Sequence, residues 1–113
     1  MNKVSTHILD LMQGTPAGGV LVELEERDSS GNWRAVGSAR TDDDGRCAQL
    51  LPGNDLRPGF YRICFDTGAY FTAHKIASLY PTVTVTFEVR AGESQFHIPL
   101  LLSANGYTTY RGS

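Results

Sequence analysis

The residues in this chain best equipped for chemistry are two histidines in β-like runs, one arginine after a turn, and the last four residues. His7 lies in Ser5-Thr6-His7-Ile8-Leu9-Asp10, and His97 lies in Phe96-His97-Ile98-Pro99-Leu100. Imidazole changes charge near neutral pH, so either ring can accept a proton from water and pass it on. Arg46 follows Thr41-Asp42-Asp43-Asp44-Gly45. Its guanidinium is planar and always charged, and it suits a flat substrate with adjacent carbonyl oxygens and ring nitrogens. The sequence closes on Tyr110-Arg111-Gly112-Ser113. Chain ends fray unless tied down. An ordered tail here would bring Ser113 and a terminal carboxylate to a site, with Tyr110 and Arg111 holding them.

Each of these groups also has a plainer reading. An arginine after an Asp/Gly-rich turn is ordinarily an exposed hairpin residue. By pattern alone, each histidine reads as a semi-exposed surface residue. Their flanks point elsewhere: Leu9 shares a strand face with His7, and Pro99 and Leu101 share one with His97. Such a surface reads as covered, and the expected cover is another subunit. His74 falls on a helical stretch and reads as a solvated surface residue. His7, His97 and a cysteine have no zinc-like spacing. There is no Gly-x-Ser-x-Gly elbow, and Ser113 would be an unusual nucleophile.

Strands must position these groups. Val83, Val85, Phe87 and Val89 alternate with threonines and Glu88, the pattern of a half-buried strand. Val20, Val22 and Leu24 form a second such run, Tyr61, Ile63 and Phe65 a third, and Phe96, Ile98 and Leu100 a fourth. Val4, Thr6 and Ile8 would share the face opposite His7, and Tyr107, Thr109 and Arg111 one face of a last strand. Turn residues punctuate the runs at 29–32, 42–45, Pro52-Gly53-Asn54-Asp55, Pro58-Gly59 and 91–93. The spacing predicts an all-β, two-sheet antiparallel sandwich of about eight strands. One short helix is expected within Thr67–Ala77, capped by Asp66 or Thr67 and stopped before Pro81.

A chain of 113 residues with 41% hydrophobic content fits one domain, 1–113, able to bury a core. Its net charge of −2 carries no basic patch that would suit nucleic acid. No apolar run is long enough to span a membrane. The start, Met1-Asn2-Lys3-Val4-Ser5, lacks an apolar signal region, so a cytoplasmic location is expected. Cys47 and Cys64 have no CxxC spacing and read as free thiols.

From Val4 to Ser113 the chain resembles the 5-hydroxyisourate hydrolases, the transthyretin-related enzymes of urate breakdown. The Ser5–Asp10 and Phe96–Leu100 segments, Thr41…Asp44-Gly45-Arg46 and the Tyr-Arg-Gly-Ser end carry the likeness; transthyretin itself does not end this way. The resemblance implies a transthyretin-like sandwich and hydrolysis of 5-hydroxyisourate to 2-oxo-4-hydroxy-4-carboxy-5-ureidoimidazoline, without cofactor or metal. It implies His7, Arg46, His97 and Ser113 as catalytic, and His7, Arg46, Tyr110 and Arg111 as substrate-binding. It also implies a homotetramer, a dimer of dimers with sites in the clefts where dimers meet. The competing reading is a non-enzymatic, transthyretin-like carrier of a small hydrophobic ligand. Two imidazoles, an arginine and a Tyr-Arg-Gly-Ser end are poor walls for one.

Overall fold

In a computed structural model of the chain, residues 2–53 and 55–113 are described. Strand β1 (Lys3–Asp10) precedes β2 (Thr15–Pro16), β3 (Leu21–Arg27), β4 (Trp33–Arg40) and β5 (Arg46–Cys47). Then follow β6 (Gly59–Phe65), helix α1 (Thr67–Ala73), β7 (Val83–Val89), β8 (Gln95–Ser103) and β9 (Gly106–Thr109). One sheet has the order β2-β1-β8-β9, with β5 also paired to β1; the other has the order β4-β3-β6-β7. This is the expected two-sheet sandwich with one helix. Of the predicted turn at 52–55, Pro52 and Gly53 form a turn and Asn54 lies outside the described residues.

The inward faces are those that alternation picks out. Val22, Leu24, Tyr61, Ile63 and Phe65 from one sheet meet Val4, Ile8, Phe96, Ile98 and Leu100 from the other, all buried. Burying one such side chain is worth about 1.5–3 kcal/mol, so a register slip that turned these faces outward would be prohibitive. β4 lies at a sheet edge, and none of its residues is buried, which explains its weak alternation.

One detail departs from the expectation. β1 and β8 run parallel, in register from Lys3↔Gln95 to Asp10↔Leu102. Hairpin logic cannot anticipate this, because the two strands are separated by most of the chain. The helix, Thr67–Ala73, falls within the expected Thr67–Ala77. Asp66 caps its start by accepting from the Ala69 N–H, while at its end Lys75 takes a left-handed φ of 59°. The Ile76 N–H then returns to the Phe71 carbonyl and the Lys75 N–H to that of Thr72, a Schellman stop. That position usually holds glycine, so a lysine there hides the stop from the sequence. No helix among the described residues is long and apolar enough to cross a membrane.

Candidate active site

The parallel β1–β8 register sets Ser5 opposite His97 and His7 opposite Pro99. Antiparallel β5 sets Arg46 opposite His7 on the other edge of β1. Three distant segments thus place His7, Arg46 and His97 on neighbouring strands. Val4, Ile8, Phe96 and Ile98 point into the core, so the histidines point away from it and are half-buried.

Local chemistry fixes the arginine. Buried Thr41 accepts from the Val20 N–H and donates to the Ala17 carbonyl, anchoring the loop. Asp42 Oδ1 then accepts from the N–H groups of Asp44 and Arg46, the side-chain-to-backbone pattern of an Asx turn. Gly45 has φ +76°, and a Cβ there would sit 2.4 Å from the Ile8 carbonyl oxygen. Only glycine allows that approach, and the Ile8 N–H uses it to reach the Gly45 carbonyl at 2.8 Å.

The tail is tied down. The Gly112 N–H donates to the His97 carbonyl at 2.7 Å. Arg111 reaches Glu93 and the Gln95 carbonyl, both at 3.1 Å, and lies over the Phe96 ring. A Cβ on Gly112 would meet His97 Cδ2 at 2.6 Å, so the glycine is a packing requirement of the imidazole beneath it.

These elements border an open cavity of about 480 Å³ whose lining includes Lys3, Ser5, Arg46, His97, Arg111 and Ser113. The structure therefore brings Arg46, His97, Arg111 and Ser113 together. His7 lies beside the cavity rather than in its lining. Tyr110 is exposed and lines a second hollow of about 210 Å³ with Val85 and Phe87. Ser5 and Lys3 were not singled out from the sequence. Period two along β1 was the available signal, since Lys3, Ser5 and His7 share one face.

The cavity is electropositive. No aspartate or glutamate lines it, and among the described residues Lys3 and Arg46 have no ion-pair partner. The His97 pKa is lowered, first by burial and then by the charges of Arg46, His7 and Lys3. A neutral ring is therefore favoured. Cys47, at the cavity wall, is buried, and burial and then Asp42 push its thiol pKa up; it is not an activated thiolate. Among the described residues no cluster of three His, Cys, Asp or Glu side chains could hold a metal. His74, the C-cap of α1, bonds the Tyr70 carbonyl through Nδ1 at 2.8 Å and stays exposed.

The geometry can be set beside known proteins. The sequence profile of the HIUase/Transthyretin family matches residues 4–112. A 5-hydroxyisourate hydrolase of Salmonella typhimurium is 44% identical over 112 residues, spanning 99% of this chain and 82% of that protein. The solved structure of Klebsiella pneumoniae 5-hydroxyisourate hydrolase superposes with a TM-score of 0.87 at 35% identity, covering both chains fully. Transthyretin from Sparus aurata superposes with a TM-score of 0.92 at 30% identity, over 99% of this chain and 97% of that one. A sandwich of this topology and likeness along its whole length lead to one assignment: the chain belongs to the HIUase/Transthyretin family.

Proposed function

We propose that this chain hydrolyses 5-hydroxyisourate, opening its cyclic amide to 2-oxo-4-hydroxy-4-carboxy-5-ureidoimidazoline in urate catabolism. The hydrolases of Salmonella and Klebsiella that match it end to end support the reaction. The observation that carries the site is the meeting of Arg46, His97 and the Gly112–Ser113 tail around one cavity with no aspartate or glutamate in its lining. Water is a poor nucleophile at neutral pH. A histidine that removes its proton as it attacks contributes roughly 10²–10⁴ in rate. We assign proton handling to His7 and His97 jointly. Arg46 binds the planar substrate and offsets charge growing on the attacked carbonyl oxygen. Arg111 pins the tail, and Ser113 completes the rim.

His7 is half-buried beside that cavity and Tyr110 is exposed over the second hollow, which supports a shared site closed by a neighbouring copy. We infer a homotetramer, a dimer of dimers, in which such closure brings His7 and Tyr110 to the substrate. Two unpaired thiols fit a reducing compartment, and we place the protein in the cytoplasm as one domain. A carrier of a hydrophobic ligand would want apolar walls, whereas lysine, two arginines and an imidazole line this one.

The direct test is ultraviolet decay of freshly generated 5-hydroxyisourate with and without protein, against the uncatalysed control. Faster decay that scales with protein supports the reading; decay equal to the control overturns it.

A further inference from the structure

Ser5 is 7% exposed, faces His97 across the parallel register, and has its Oγ 2.9 Å from His97 Nδ1. Gly112 covers the Cδ2 edge of the same ring, and a Cβ there would come within 2.6 Å. With Nδ1 bonded and Cδ2 covered, Nε2 and Cε1 remain to meet the cavity that His97 lines. Among the described residues, Nδ1 is the one acceptor the Ser5 hydroxyl meets, and buried hydroxyls keep their protons hydrogen-bonded.

We propose that Ser5 is a positioning residue whose hydroxyl donates to Nδ1, holding His97 as the neutral tautomer protonated at Nε2. His97 then serves as a hydrogen-bond donor to the substrate, and proton transfer falls to His7. This rests on the reading of His97 as a catalytic group and narrows to His7 the proton transfer assigned above to both histidines. The division is chemically balanced. As the water oxygen bonds the ring carbonyl carbon, His7 takes a proton from that water. When the carbon–nitrogen bond breaks, His7 returns the proton to the leaving ring nitrogen. The Nε2–H of His97 hydrogen-bonds the carbonyl oxygen while negative charge grows there and keeps its own proton throughout. A charged His97 would turn Nδ1 into a donor and reverse the Ser5 bond, so the hydroxyl proton would lose Nδ1 as its acceptor. Burial, Arg46, His7 and Lys3 all act against that charged form.

The experiment pairs ring tautomer with kinetics. Long-range proton–nitrogen correlations on ¹⁵N-labelled protein at neutral pH should show His97 protonated at Nε2. Ser5→Ala should mix the tautomers and lower kcat roughly tenfold or more with KM little changed, the scale seen when an orienting partner is lost. Ser5→Thr, which keeps the hydroxyl, should recover both. A ring protonated at Nδ1 in the parent overturns the proposal, as does a Ser5→Ala variant with unchanged tautomer and kcat. Full turnover by His97→Ala would instead remove His97 from the reaction, whatever tautomer the parent showed.

Discussion

Two polar clusters divide this molecule, and they are built on opposite terms. The first surrounds Glu26, which is 9% exposed at the end of β3. Its carboxylate accepts from Arg34 at 2.6 Å, Arg57 at 3.0 Å and the Tyr61 hydroxyl at 3.1 Å. Burial pushes its pKa up, but Tyr61, Arg34 and Arg57 outweigh burial and hold it low. The second surrounds His97 and gathers Lys3, Arg46 and His7 with no aspartate or glutamate in the cavity lining. Charges that are mutually satisfied belong to the fold. A like-charged set left open to a cavity is not stabilising by itself, and it awaits a ligand whose charge or polarity completes it.

If that contrast is right, substitutions in the open cluster should cost turnover and spare the fold. His97→Ala and Arg46→Ala should each lower kcat/KM by roughly 10²-fold or more, with thermal midpoints close to the parent. His7→Ala should do the same. His74→Ala should behave like the parent, because His74 bonds the Tyr70 carbonyl of its own helix turn and faces solvent. Steady-state kinetics beside thermal unfolding separates the two outcomes. A large fall in stability for Arg46→Ala would merge the clusters into one structural class.

The tail sharpens the comparison, because it belongs to the open cluster through backbone as well as side chains. Deleting Tyr110–Ser113 removes the Gly112–His97 bond and the Arg111 contacts. It should remove most turnover while the sandwich core stays folded. Residues added after Ser113 should hinder the cavity more than the same residues added before Met1. Equal activity of the two extended forms, with near-normal turnover of the truncated one, would strip the tail of its role.

How far the sequence discloses these clusters depends on the kind of contact. Alternation in β3, β6 and β8 marks the core faces, because period two is local. It also turns His7 and His97 away from that core. Their meeting with Arg46 is not local. It depends on parallel β1–β8 pairing and on a two-residue β5, neither of which leaves a trace in composition. The Ser5–His97 bond depends on the same register. Glu26 was hidden for another reason: it continues the inward face of Val22 and Leu24, where a carboxylate looks out of place until Arg34, Arg57 and Tyr61 close on it. Tyr110 shows the limit of motif reading. Adjacent to Arg111 in sequence, it faces another hollow in space.

The satisfied cluster should respond in the opposite currency. Glu26→Ala leaves the buried Tyr61 hydroxyl without that acceptor, whereas the part-exposed Arg34 and Arg57 can turn to water. A loss of about 2 kcal/mol is expected, with kcat/KM per folded molecule unchanged. Denaturant unfolding measures the first quantity and active-fraction kinetics the second. Turnover that fell more than stability accounts for would place Glu26 in the working machinery.

The smallest expected effect is in acid, where the clusters should titrate in different windows. Glu26 is held below its ordinary 4.5, so its folded-state advantage is complete above about that pH and is lost as pH falls through the folded value. Its signature is a stability loss confined to strong acid that Glu26→Gln flattens. His97 is held below its ordinary 6.5. The unfolded ring therefore binds a proton first, and acid begins to favour the unfolded chain near 6.5. That penalty stops growing once the folded ring is protonated too. Imidazole titration by NMR reads the His97 midpoint directly, and it should lie below 6.5. Arg46→Gln removes one of the charges that depress it, so the midpoint should rise toward the ordinary value. Glu26→Gln should leave that midpoint where it is. A His97 midpoint above 6.5, or one that ignores Arg46, would mean that the open cluster is not the mutually repelling set its geometry describes.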